Sequence, residues 1–117
     1  MQKRAAHPGE SRDLRRLGHE AGKMAFYVYI MTNKRHGVLY TGMTDDINTR
    51  AWMHRDHVLR GFTDKYNCEM LVWYEVHESR ESAFVRERRI KGWKRAWKIK
   101  LIEDMNPGWQ DLARELI

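Results

Sequence analysis

The chain has one cysteine, no long apolar run and no internal repeat, and each absence closes a class of protein. The lone thiol, Cys68, excludes an intrachain disulfide and agrees with a reducing, cytoplasmic setting. No stretch reaches the ~18 apolar residues of a membrane-spanning helix, so no membrane association is expected. Residues 1–23 are basic but lack the apolar block of a secretory signal. Their Gly, Pro, Arg and Glu follow no period and read as a disordered extension, leaving 24–117 as the folded domain. Met24 stands just before the first apolar run, where translation of a compact domain could begin. His54 and His57 form a histidine pair with no cysteine or carboxylate cluster to complete a zinc site. No zinc finger or base-reading helix is visible, so any nucleic-acid contact should fall on phosphates and weaken steeply with salt.

What is present is ordinary for one soluble domain: 117 residues, 42% hydrophobic and 32% charged. The net charge of +6 divides evenly, because residues 1–23 hold six Lys/Arg against three acids. Such a balance favours polyanions without specifying one.

Aromatic and β-branched residues alternate over Phe26 to Thr32 and again over Val38 to Met43, with Asn33-Lys34-Arg35-His36-Gly37 between. This is the pattern of a β-hairpin. Thr44-Asp45-Asp46 then offers capping oxygens to a helix whose Ile47, Ala51, His54 and Val58 recur at helical spacing. Residues 60–67 read as a loop, and Leu71 to Val76 as a third strand apolar enough for the middle of a sheet. Ser79 caps a long helix from Arg80 that Gly92 interrupts, and a second helical stretch runs from Trp93 to about Asp104. Asn106-Pro107 reads as the N-cap and first residue of a last short helix bearing Trp109, Leu112, Ala113 and Leu116. The order ββαβα plus C-terminal helices implies an α+β fold with a small antiparallel three-stranded sheet.

The hairpin brings Tyr29 and Tyr40 onto neighbouring strands, and Arg50 follows in the first turns of the next helix. Two phenols and a guanidinium converging on one spot make a pocket for a phosphate group, since the planar fork grips two oxygens at once. His54 lies one turn beyond Arg50 on the same helix face, where a histidine relays protons near neutral pH. Glu87 shares a helical stripe with Ala83, Phe84, Ile90 and Lys91, so a carboxylate sits among residues that should face the sheet. It must be paired, with Arg50 or a neighbour as one source of charge, be protonated, or bind a metal.

Tyr27-Val28-Tyr29, Tyr40-Thr41-Gly42, Arg50 and the segment Glu81 to Trp93 together resemble the GIY-YIG nuclease superfamily over about residues 25–112. The small stand-alone bacterial proteins of that superfamily, often labelled excinuclease-like, are the most similar in layout. The resemblance implies a metal-dependent endonuclease that hydrolyses phosphodiester bonds in DNA, directed by structure rather than sequence, in DNA repair or processing. It implies Glu87 as ligand of Mg2+ (or Mn2+), Tyr40 as general base, and Tyr29, Arg50, His54 and the late Asn106 as further active-site residues. A phenol with a pKa of about 10 needs a nearby positive charge or metal for that role. Two departures stand out: Tyr27 replaces the first glycine, and Met43 stands where some family nucleases carry a lysine. Lys65 is the candidate expected to substitute for that lysine in space. Lys65, Arg88, Lys91, Lys94, Arg95 and Lys98, interleaved with Trp93 and Trp97, form the expected DNA-contacting surface. The partner is DNA, with no small-molecule cofactor, and the protein is expected as a monomer or weak homodimer. A non-catalytic nucleic-acid-binding module, or an interaction protein on the same fold, is the alternative.

Overall fold

A computed structural model describes residues 25–57 and 61–116. The basic extension, Met24 and Val58 lie outside the described residues.

The two alternating runs pair antiparallel as β1 (Phe26–Thr32) and β2 (Leu39–Thr44). Their turn is closed by the Gly37 amide donating to the Lys34 carbonyl at 2.8 Å and the Val38 amide donating to Asn33 Oδ1 at 2.9 Å. Helix α1 (Ile47–Arg55) follows, then α2 (Phe62–Lys65), a single turn within the stretch expected to be loop. Strand β3 (Met70–His77), α3 (Arg80–Lys91), α4 (Arg95–Met105) and a 3-10 turn (Leu112–Leu116) complete the chain. The sheet order is β2-β1-β3, antiparallel throughout, and the α+β layer architecture matches the sequence expectation.

Four details differ from that expectation. β1, not β3, is the central strand. The apolar run Leu71-Val72-Trp73 is buried because side chains cover both faces of the sheet there, while Tyr74 to His77 are only half-buried. Asn106 closes α4 instead of opening a helix: its amide donates to the Ile102 carbonyl at 2.7 Å, and Pro107 then ends helical pairing. The last short helix is a 3-10 turn. Phe84 is 48% exposed, because the stripe that meets the sheet is Ala83, Glu87 and Ile90, and the Arg88 guanidinium lies over the Phe84 ring instead.

Alternation sends Tyr27, Tyr29 and Met31 to one face, where Ile47 and Ala51 of α1 and Leu71, Leu112 and Ala113 cover them. Val28 and Ile30 face the other side, against Ala83 and Ile90 of α3, Ile102 of α4 and Trp109. The β1–β3 register slips between Ile30, opposite Trp73, and Met31, opposite Leu71. Val72 is therefore the extra residue of a β-bulge, which turns Val72 and Trp73 to the same face.

Candidate active site

Register fixes the first part of the site. Tyr29 lies directly opposite Gly42, and Tyr40 sits two residues along β2, so the two phenols are diagonal neighbours with ring centroids 6.3 Å apart. A Cβ on residue 42 would stand 2.6 Å from the Tyr29 hydroxyl and 3.1 Å from the Tyr40 ring. Glycine is required there because the Tyr29 ring crosses the β2 backbone.

The cap of α1 sets the second part. Asp46 accepts from the Thr49 amide at 3.1 Å and the Thr49 hydroxyl at 2.9 Å, and Thr44 Oγ1 accepts from the Asp46 amide at 3.1 Å. With Ile47 and Ala51 buried against the sheet, the helix delivers Arg50 and His54 to Tyr29. The Tyr29 hydroxyl lies 3.0 Å from His54 Nε2, and the His54 ring packs 5.6 Å from Tyr29 and 5.5 Å from Tyr40. The Arg50 charge acts on the same hydroxyl. A guanidinium beside it draws the lone pairs of the Tyr29 oxygen, which leaves its one proton for a hydrogen bond to Nε2. The network thus assigns the His54 proton to Nδ1, a buried atom with no hydrogen-bond partner among the described residues.

Burial pushes the Tyr29 phenol well above its usual range, with Tyr40 and Glu87 adding to the rise and Arg50 opposing it. Burial, then the Arg50 charge, hold His54 down to about 4, far below the near-neutral value expected from its sequence context. His54 is therefore neutral at pH 7, an acceptor for Tyr29. An unfolded chain protonates this histidine near 6.5, so the native state loses stability as pH falls from about 6.5 toward 4. The loss attributable to His54 is about 3 kcal/mol at most. Chemical denaturation across that window should show the decline, and His54→Gln should flatten it. An unchanged slope would mean His54 is not buried neutral.

Glu87 completes the cluster from the opposite face of the sheet. It is 8% exposed, and its charge acts on the Tyr29 hydroxyl. Its ion-pair partner is Lys91, one turn on in α3, with Nζ 2.9 Å from Oε2, rather than the arginine expected. Among the described residues no group of three His, Cys, Asp or Glu forms a metal cage. A single carboxylate of this kind fits a hard cation that keeps water and substrate oxygens as its other ligands.

The profile of the GIY-YIG catalytic domain matches residues 25–100, a span that begins before β1 and ends within α4. The chain belongs to the GIY-YIG family. It is 35% identical over 78 residues to the UPF0213 proteins of Staphylococcus haemolyticus and Staphylococcus saprophyticus, covering 67% of this chain and 94% of each relative. The Staphylococcus aureus UPF0213 protein is 33% identical over the same share. No solved structure gives a significant match.

The remaining residues expected at this GIY-YIG site have partners of their own. Asn106 is buried, and its amide is spent on the backbone: Nδ2 donates to the Val72 carbonyl at 3.1 Å and the Gln110 carbonyl at 2.8 Å, while Oδ1 accepts from the Gln110 amide at 3.0 Å. It satisfies the bulged strand and ties the end of α4 to it. Asn106→Ala should cost about 3 kcal/mol while activity per folded molecule stays unchanged. A loss of turnover without a loss of melting temperature would return Asn106 to the chemistry.

Of the basic residues, Arg95 donates through Nη2 to the His36 and Gly37 carbonyls, both at 2.6 Å, and so clamps the hairpin turn. Lys65 lies over the Tyr66 ring and Arg88 over Phe84, while Lys94 is exposed at the start of α4 and Lys98 is half-buried. Among the described residues no helix is long and apolar enough to cross a membrane.

Sequence reading missed two polar clusters. His57 does meet carboxylates, with Nδ1 2.9 Å from Asp64 Oδ1 and Nε2 2.5 Å from Glu69 Oε2, and these bonds raise its pKa. Glu75 is held by Arg86, at 3.0 Å from Nε, and by His77, whose Nδ1 meets the Ser82 hydroxyl. Glu75 and His77 alternate along β3, which is the one local signal for that cluster. His77, Ser82 and Arg86 line a cleft of about 410 Å³ that includes none of the tyrosine cluster.

Proposed function

We propose that this GIY-YIG domain hydrolyses phosphodiester bonds in DNA, in the cytoplasm, as a structure-directed nuclease of repair or processing. The observation that carries this reading is the Arg50–Tyr29–His54 chain, with Tyr40 packed against the same imidazole and the Glu87 charge acting on the same hydroxyl.

Tyr29 is the anchor. Its raised pKa and its bond to His54 keep it protonated, so it orients Arg50 instead of accepting a proton. Arg50, held beside that oxygen, presents its N–H groups to a phosphate and stabilises charge developing there. Tyr40, the less buried phenol, accepts or orients the proton of the attacking water. Neutral His54 holds both rings in place. Glu87 would hold one Mg2+ or Mn2+, which supplies charge to the phosphate and the leaving oxygen. Exposed Lys94 and half-buried Lys98 contact flanking phosphates, so affinity falls with salt.

The Glu87–Lys91 pair favours a second reading, a binding module in which that carboxylate is merely structural. Tyr40→Phe separates the two. Losing one hydroxyl from a half-buried strand residue should leave melting temperature, metal binding and DNA binding intact, yet lower turnover by on the order of 10²-fold or more. A binding module shows no hydrolysis in the parent protein. Cleavage undiminished in Tyr40→Phe would remove Tyr40 from the chemistry.

A further inference from the structure

Glu87 and Lys91 present a conflict that the proposed nuclease chemistry must resolve. The Glu87 side chain is only 11% exposed, and a carboxylate so buried needs a counter-charge. Lys91 provides it at 2.9 Å, from a side chain that is itself 49% exposed. A divalent ion needs the same carboxylate. The ion and the ammonium compete for it, and the repulsion between them weakens the hold of each.

The lysine is built to leave. Its ammonium sits on a flexible four-carbon stem, already half in water. It also stands in the basic stretch Arg86, Arg88, Arg89, Lys91, Lys94, where a phosphate chain offers a new partner.

We infer that Lys91 is a resident counter-ion that caps Glu87 until a nucleic-acid phosphate draws it away, so that metal and DNA bind this site cooperatively. The inference rests on Glu87 as metal ligand and adds a gate to it. Without DNA, metal must break the Glu87–Lys91 pair, which weakens its binding. With DNA, Lys91 moves to a phosphate and the carboxylate is open. By linkage the effect is reciprocal: metal at Glu87 releases Lys91 and tightens DNA binding by the same factor. The device also limits metal loading when no nucleic acid is present.

The test is Mn2+ binding to the full chain, followed by electron paramagnetic resonance, with and without a short phosphorothioate oligonucleotide. The oligonucleotide alone serves as blank. Lys91→Met should bind Mn2+ roughly three- to tenfold more tightly than the parent without DNA, the range expected for losing a partly exposed competing charge. The oligonucleotide should tighten Mn2+ binding to the parent by a larger factor than to Lys91→Met, which gains only what the phosphate oxygens contribute as ligands. Lys91→Arg, which keeps the charge, should behave as the parent. If Lys91→Met melts early, Lys91→Gln, which retains an N–H for Glu87, carries the same comparison. Equal or weaker Mn2+ affinity in the uncharged variants, at a site that Glu87→Gln abolishes, overturns the gate and leaves Glu87 as metal ligand standing. Mn2+ binding that survives Glu87→Gln overturns both.

Discussion

Arg50→Ala should lower turnover by on the order of 10²–10³, comparable to removing one preorganised oxyanion donor. DNA affinity should change far less, because Arg50 is one of several phosphate contacts. The size follows from how the guanidinium is held. It is half-buried on a capped helix beside a phenol that is itself bonded to His54, so its position is set before substrate arrives. The substitution carries a second, independent signature. The Arg50 charge helps hold His54 down to about 4, so its removal should raise the His54 pKa, read from the ring protons by NMR. Turnover that drops with an unmoved His54 would mean Arg50 does not occupy the position described. Unchanged turnover with a raised His54 pKa would leave Arg50 a structural partner of Tyr29 only.

Glu87→Gln should abolish metal-dependent cleavage outright. The amide keeps the shape of the side chain and can still accept from Lys91 Nζ, but it lacks the charge a divalent ion requires. Stability should change little. Lys91 is half exposed and finds water once its partner is neutral, so the loss should be within about 1 kcal/mol. A merely structural role would leave activity per folded molecule unchanged in Glu87→Gln.

The parts of this site legible in the sequence are those set by local geometry. Alternation on either side of a five-residue turn places Tyr29 and Tyr40 on paired strands, and the Thr44–Asp46 oxygens start the helix that carries Arg50 and His54. Tertiary packing decides the rest. The Glu87–Lys91 spacing is visible in the chain, but whether Arg50 or Lys91 answers the carboxylate depends on how α3 sits on the sheet. That same rotation leaves Phe84 outside. The Asn106 bonds depend on a bulge at Val72, 34 residues away, which no local pattern announces. His54 looks like a near-neutral proton carrier until its burial against Tyr29 and Tyr40 is known. The central place of β1 likewise follows from pairing, since an apolar edge strand covered on both faces reads like a middle one.

The most direct measurement is incubation of the purified protein with single-stranded, nicked, branched and duplex DNA in Mg2+, Mn2+ or EDTA. A phosphodiesterase built on Tyr40, Arg50 and Glu87 should cut at least one of these forms with either metal, show little preference for base sequence, and stop in EDTA. No cleavage of any form with either metal, or cleavage that persists undiminished in EDTA, would overturn that assignment.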